Sequence, residues 1–138
     1  TFFVIGTGAM YYIETASVAV AMGKPELGEK ASKAYWISKA IAILGGGLIS
    51  AIFVTVINGW LFAAAAAFSS VVGFALIFLA SSMGDFFFYL SAFFVGAGVG
   101  GWWVIAPQLI LDDAGPRSFE SLWGLTLTVN IFGVFVFF

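Results

Sequence analysis

The 138-residue chain contains no cysteine and no histidine. The first absence excludes disulfides and thiol chemistry, and the second removes the imidazole general base. Together they remove the commonest ligands of zinc and haem, so no metal and no cofactor is expected. Charge is almost as scarce. Lys, Arg, Asp and Glu make up 9% of the residues, against about 25% in a soluble domain. A net charge of −2 with no basic run leaves no electrostatic footprint for nucleic acid. Prolines number only three, so long helices are free to run.

What fills the chain instead is apolar: 62% hydrophobic residues, 19% aromatic, with 17 Phe. A chain of this length cannot hide that much apolar surface from water. In lipid the surface needs no hiding, and helices satisfy their own backbone hydrogen bonds. The apolar runs are long and continuous, not alternating in segments of about ten residues, which excludes a membrane β-barrel. The expected fold is all-α: a polytopic transmembrane helical bundle forming one region over 1–138, with the lipid bilayer as its first partner. Five spans are expected, at about 2–22, 34–57, 60–80, 86–111 and 121–138. Both ends fall within apolar runs, so the chain is expected to be an excerpt of a longer protein.

The connections are short. Residues 23–33 (GKPELGEKASK) form the one strongly polar segment and are expected to be a loop. Asn58-Gly59 leaves so little room that spans two and three are expected to form a tight antiparallel hairpin, and sequential helices to pack as neighbours. Lys24, Lys30, Lys33 and Lys39 lie toward one side of the bundle and Arg117 toward the other. The positive-inside rule therefore places the first loop in the cytoplasm, or in an organellar matrix or stroma. A multi-pass protein of an organellar inner membrane is compatible with this.

A few polar residues interrupt the apolar runs. Glu14 sits inside span one, where a carboxylate at mid-bilayer costs about 2.5–3.5 kcal/mol on insertion scales. It reads either as a proton-coupling or substrate-contacting acid beside Tyr11, or as a protonated acid bonded to a neighbouring helix. Lys39 either supplies a cation to an anionic substrate or snorkels back to the loop. Asn130 either lines a cavity or glues helices together. Trp36, Trp60 and Trp123 lie at span starts and read as interfacial anchors. Trp103 lies deeper, four residues before Pro107, which has no N–H to offer its carbonyl. The run Gly96-Ala97-Gly98-Val99-Gly100-Gly101 spells a dinucleotide fingerprint, but inside a membrane run with no preceding strand. Gly96 and Gly100 instead read as a small-residue ridge for helix packing.

From Pro107 to Gly133 the segment PQLILDDAGPRSFESLWGLTLTVNIFG resembles the tenth-to-eleventh helix region of major facilitator superfamily transporters. The monocarboxylate-transporter-like and nodulin-like subfamilies are the nearest in pattern. Pro107, Asp112 or Asp113, Gly115, Arg117, Phe119 and Gly124 fill the places of that pattern. The resemblance implies that the five spans are helices seven to eleven of a carrier, with the N-terminal half as partner. It implies a small organic anion as substrate, with Glu14, Lys39, Trp103 and Asn130 as cavity candidates. It makes Asp112, Asp113, Arg117 and Glu120 a gating hairpin. The turn Ile57-Asn58-Gly59-Trp60 departs from the family by lacking its basic motif, and family topology puts the Lys-rich loop on the non-cytoplasmic face. A degenerate carrier serving as an accessory transmembrane subunit of a large respiratory or photosynthetic complex is the alternative. Either way no enzyme is expected, since no paired carboxylate or serine constellation occurs.

Overall fold

A computed structural model of the chain describes residues 2–53 and 58–136. Five α-helices account for nearly all of them: α1 (Phe2–Ala21), α2 (Pro25–Phe53), α3 (Gly59–Met83), α4 (Asp85–Ala114) and α5 (Pro116–Val136). Among the described residues there is no strand. Among the described residues two helices, against the five spans expected, are long and apolar enough to cross a membrane: α3 over Gly59–Ala80 and α4 over Asp85–Ala114. At 1.5 Å per residue, the 30 residues of α4 reach about 45 Å.

The polar segment expected to be a loop is mostly helix. Pro25 opens α2 with its preset φ, Glu26 complements the first turn, and Lys33 donates to Glu29 one turn back at 2.5 Å. Its polarity belongs to a solvated helical extension, so the connection shrinks to three residues around Gly23. The other described turns shrink in the same way. Gly84 (φ 105°) alone separates α3 from α4, and Gly115 (φ 73°) alone separates α4 from α5. Both angles lie where a side chain is strained, so glycine is what allows one residue to reverse a helix. Asn58 starts α3 by accepting a hydrogen bond from the Trp60 backbone N–H at 3.0 Å.

The connection of the expected α2–α3 hairpin lies partly outside the described residues, and where described the two helices meet only through side chains, as where Phe62 reaches Gly46. The two backbones do not approach one another among the described residues, because α4 lies between them and packs on both. Small residues explain why. On one side of α4, Gly96 and Gly100 face α2. A Cβ on Gly100 would stand 2.5 Å from the Lys39 carbonyl oxygen, and one on Gly96 would collide with Ser38 Oγ and the Tyr35 carbonyl. On the other side, a Cβ on Gly98 would lie 2.5 Å from the Ala66 carbonyl oxygen of α3. Gly73 of α3 answers reciprocally, its Cβ position lying 2.8 Å from Val95 N. Backbone therefore meets backbone along two flanks of one helix, as small residues permit. Ser69 Oγ adds an interhelical bond to the Phe94 carbonyl at 2.8 Å.

Burial follows from this arrangement. Phe88, Ala92, Val95 and Val99 of α4 are fully or almost fully enclosed, with Tyr11 and Ala19 of α1 and Ala31 and Tyr35 of α2 around them. The outer helices present large apolar side chains outward instead. Phe78 is 79% exposed, Leu44 and Leu61 70%, and Phe68 69%. α1 and α5 close the remaining side of α4 and touch each other. At the end where α1 meets α2, Lys24 bridges to Asp85 at 2.5 Å, tying that turn to the one at Gly84.

Candidate functional site

Among the described residues, the sequence-predicted polar residues are dispersed over the bundle. Tyr11 is buried, its hydroxyl 2.8 Å from Ser91 Oγ of α4, with Phe74 edge-on at 5.6 Å and the Tyr35 ring 6.3 Å away. Thr15 returns its hydroxyl to the Tyr11 carbonyl. Glu14 points elsewhere. Three residues advance a helix by 300°, so Glu14 lies about 60° around α1 from Tyr11; it is exposed together with Ser17. Tyr11 thus faces the core and Glu14 the outer surface.

Lys39 stands half-buried on α2, with Nζ 4.6 Å from the Trp36 ring centroid and 6.0 Å from that of Tyr35. Both rings lie toward the N-terminus of α2, so the side chain runs back toward the polar end. That is the snorkelling geometry, with a cation–π contact at its tip. Trp103 is partly buried and meets Trp123 edge-on at 6.0 Å. Trp123 in turn stacks on Phe119 at 6.4 Å, so this tryptophan joins α4 to α5. The side chain of Asn130 on α5 lies outside the described residues.

The expected gating hairpin occupies the opposite end of the bundle. Asp112 and Asp113 sit in the last turn of α4, and Arg117 and Glu120 in the first turns of α5; all four are exposed. No basic residue occupies the last turn of α4. Two carboxylates therefore add to the partial negative charge that a helix carries at its C-terminus. Here α4, α5 and the start of α3 enclose a cavity of about 310 Å³. Trp102, Ala106, Leu109, Ile110 and Asp113 recur along one face of α4 and form one wall. Leu122, Leu125 and Thr126 of α5 form the other, and Trp60 closes the end. The Trp102 indole N–H is buried and has no hydrogen-bond partner among the described residues. Sequence reading missed this cavity. Its signal is the helical spacing of Trp102, Ala106, Leu109 and Asp113, an apolar stripe that ends in an acid.

Two further grooves differ in character. One of about 350 Å³ runs between α2 and α3 over Ala97 and Gly101, and is lined almost wholly by apolar residues. Another of about 330 Å³ surrounds the Lys24–Asp85 pair with Glu26, Lys30 and Tyr89. Glu14, Lys39 and Trp103 line none of these three spaces. Among the described residues no group of three or more Asp or Glu could hold a metal ion. In comparison with known proteins, the chain matches no family model, no characterised protein and no solved structure.

Proposed function

We propose that the chain is a five-span, multi-pass membrane unit forming part of a carrier for small organic anions or similar solutes, in the manner of the C-terminal half of a major facilitator. The observation that carries this reading is the contrast between its two outer surfaces. The α2 and α3 side presents Leu44, Leu48, Leu61, Phe68, Val71 and Phe78, a surface suited to lipid. The α1 and α5 side also exposes Leu125, Ile131 and Phe132, but interrupts them with Glu14 and Ser17 on α1, and Ser121, Gly124 and Thr128 on α5. A carboxylate facing hydrocarbon costs about 2.5–3.5 kcal/mol, so the second surface is better matched to a water-filled pathway or to the rest of a carrier. Reconstituted uptake of radiolabelled organic acids tests this. Glu14→Gln should alter the proton dependence of uptake while leaving the protein folded. An unchanged rate and pH profile would remove Glu14 from the pathway.

The accessory-subunit reading draws on the same side. Ser121, Gly124 and Thr128 repeat at helical spacing, and a methyl group at Gly124 would meet nothing within 4 Å. That open small-residue stripe suits close docking of another helix. Migration after mild-detergent extraction separates the two. A carrier-sized species favours transport, whereas stoichiometric travel within a large complex, with Glu14→Gln silent, favours the subunit.

A further inference from the structure

We infer that one flank of α2 lines a water-filled crevice, which enters at the end held by Lys24 and Asp85 and stops at Lys39, near the middle of the bilayer. Depth is the first argument. The Lys24–Asp85 ion pair sets the starts of α2 and α4 level. At 1.5 Å per residue, Lys39 lies about 21 Å from that end. It packs against Gly100, about 22 Å along α4 and halfway through that helix. A bilayer with its headgroups is about 40–45 Å thick, so both residues stand near its midplane. Met83 and Phe86 are exposed beside the Gly84 turn, so the apolar slab begins close to this end. Lys39 Nζ reaches back only to the Trp36 ring, still about 16 Å inside. A lysine at that depth is heavily penalised unless water or an anion reaches it.

Helical spacing supplies the second argument. Glu29, Lys33, Trp36 and Ala40 recur along one exposed flank of α2, with Ser32 and Lys39 at its border. Ile37, Ile41, Leu44 and Leu48 repeat the same spacing on a second exposed flank, about a quarter-turn away. The second flank is apolar throughout and suits lipid. The first starts with the exposed Glu29–Lys33 pair, stays polar or amphipathic as far as Lys39, and then turns to Ile43 and Gly47. Near the entrance α1 borders it, where Gly28 packs on Ala16 and Ala19. A helix docked from another subunit would need a carboxylate opposite Lys39, but no polar track leading out to the aqueous end. Water needs that track.

This inference rests on the chain lying in a membrane and holds whether or not it transports anything. Resistance to alkaline carbonate extraction tests the membrane reading by itself. The chain has no cysteine, so a single introduced thiol reports its own surroundings. Trp36 and Ile37 are neighbours, 49% and 59% exposed, on different flanks. Ala40 and Ile41 form a second such pair. The full chain is placed in liposomes with a charged, membrane-impermeant methanethiosulfonate on both faces. Trp36→Cys and Ala40→Cys should react about tenfold or more faster than Ile37→Cys and Ile41→Cys, because apolar surroundings raise a thiol's pKa and remove the reactive thiolate. Gly47→Cys, on the first flank beyond Lys39, should be as slow as Ile37→Cys. Labelling in SDS serves as the control that each thiol is intact. Equal rates within both pairs overturn the crevice; if all four are slow, lipid or another helix covers the flank. A Gly47→Cys rate matching that of Trp36→Cys overturns its end at Lys39.

Discussion

Replacing Gly100 by alanine isolates the interaction that holds the bundle together. The added methyl would stand 2.5 Å from the Lys39 carbonyl oxygen and 2.9 Å from Ala42 Cβ, so α2 and α4 must part by about 0.9 Å to restore ordinary 3.4 Å contact. A gap of that size forfeits roughly a quarter to a half of the dispersion attraction along the seam. Overpacking of this kind typically costs about 1–3 kcal/mol. Alanine also favours helix over glycine by up to about 1 kcal/mol, which partly conceals the cost. Gly45 and Gly47 supply the control, because a methyl at either meets nothing within 4 Å. The difference between Gly100→Ala and Gly45→Ala removes the propensity contribution and should come to about 1–3 kcal/mol. In thermal unfolding of the detergent-solubilised protein this amounts to a midpoint on the order of 3–10 °C lower for Gly100→Ala. Gly96→Ala should behave like Gly100→Ala, and the double variant should cost less than their sum, since one separation relieves both. If the Gly100 and Gly45 variants unfold together, the seam is not backbone-tight and the packing argument is wrong.

Three other perturbations test separate parts of the structure. Tyr11→Phe leaves the Ser91 hydroxyl buried without its partner and should cost about 1 kcal/mol; adding Ser91→Ala should recover part of it, as read in a double-mutant cycle. Asp85→Asn should lower stability by less than about 1 kcal/mol, and the loss should vanish in high salt, because Lys24 and Asp85 are 52% and 44% exposed. Lys33 holds the Glu29 carboxyl below the usual glutamate range, through its hydrogen bond first and its charge second. The folded value lies below the unfolded one, so whatever the pair contributes is present above the unfolded glutamate range and is lost as pH falls through the lowered value. Lys33→Gln should move the Glu29 titration upward by NMR; an unmoved titration would show that the pair is not formed in solution.

The sequence announces its helices clearly because long apolar runs leave little else to form. Other features depend on what arrives from elsewhere in the chain. Nothing local marks Gly98 as the contact to α3 while Gly96 faces α2, since adjacent glycines look alike until two partners flank them. The stretch Pro25–Lys33 reads as a loop by polarity, yet its proline, early acid and Glu29–Lys33 spacing form the start of a helix. Glu14 and Tyr11 lie one turn apart in sequence, but the 60° between them places one outside and the other in the core.

The position of α4 between α2 and α3 also constrains the order of assembly. Both helices emerge before α4 and are joined by few residues, yet their small-residue faces have no direct partner in each other. Ser38 and Ala42 on one, and Ala66, Ser70 and Gly73 on the other, wait for a helix synthesised after both. A chain halted at Met83 would hold α2 and α3 with an unfilled slot between them, open to any glycine-rich segment that reached it first. The turn at Gly84 answers this by delivering α4 directly alongside α3, so the correct occupant arrives tethered while competitors must diffuse.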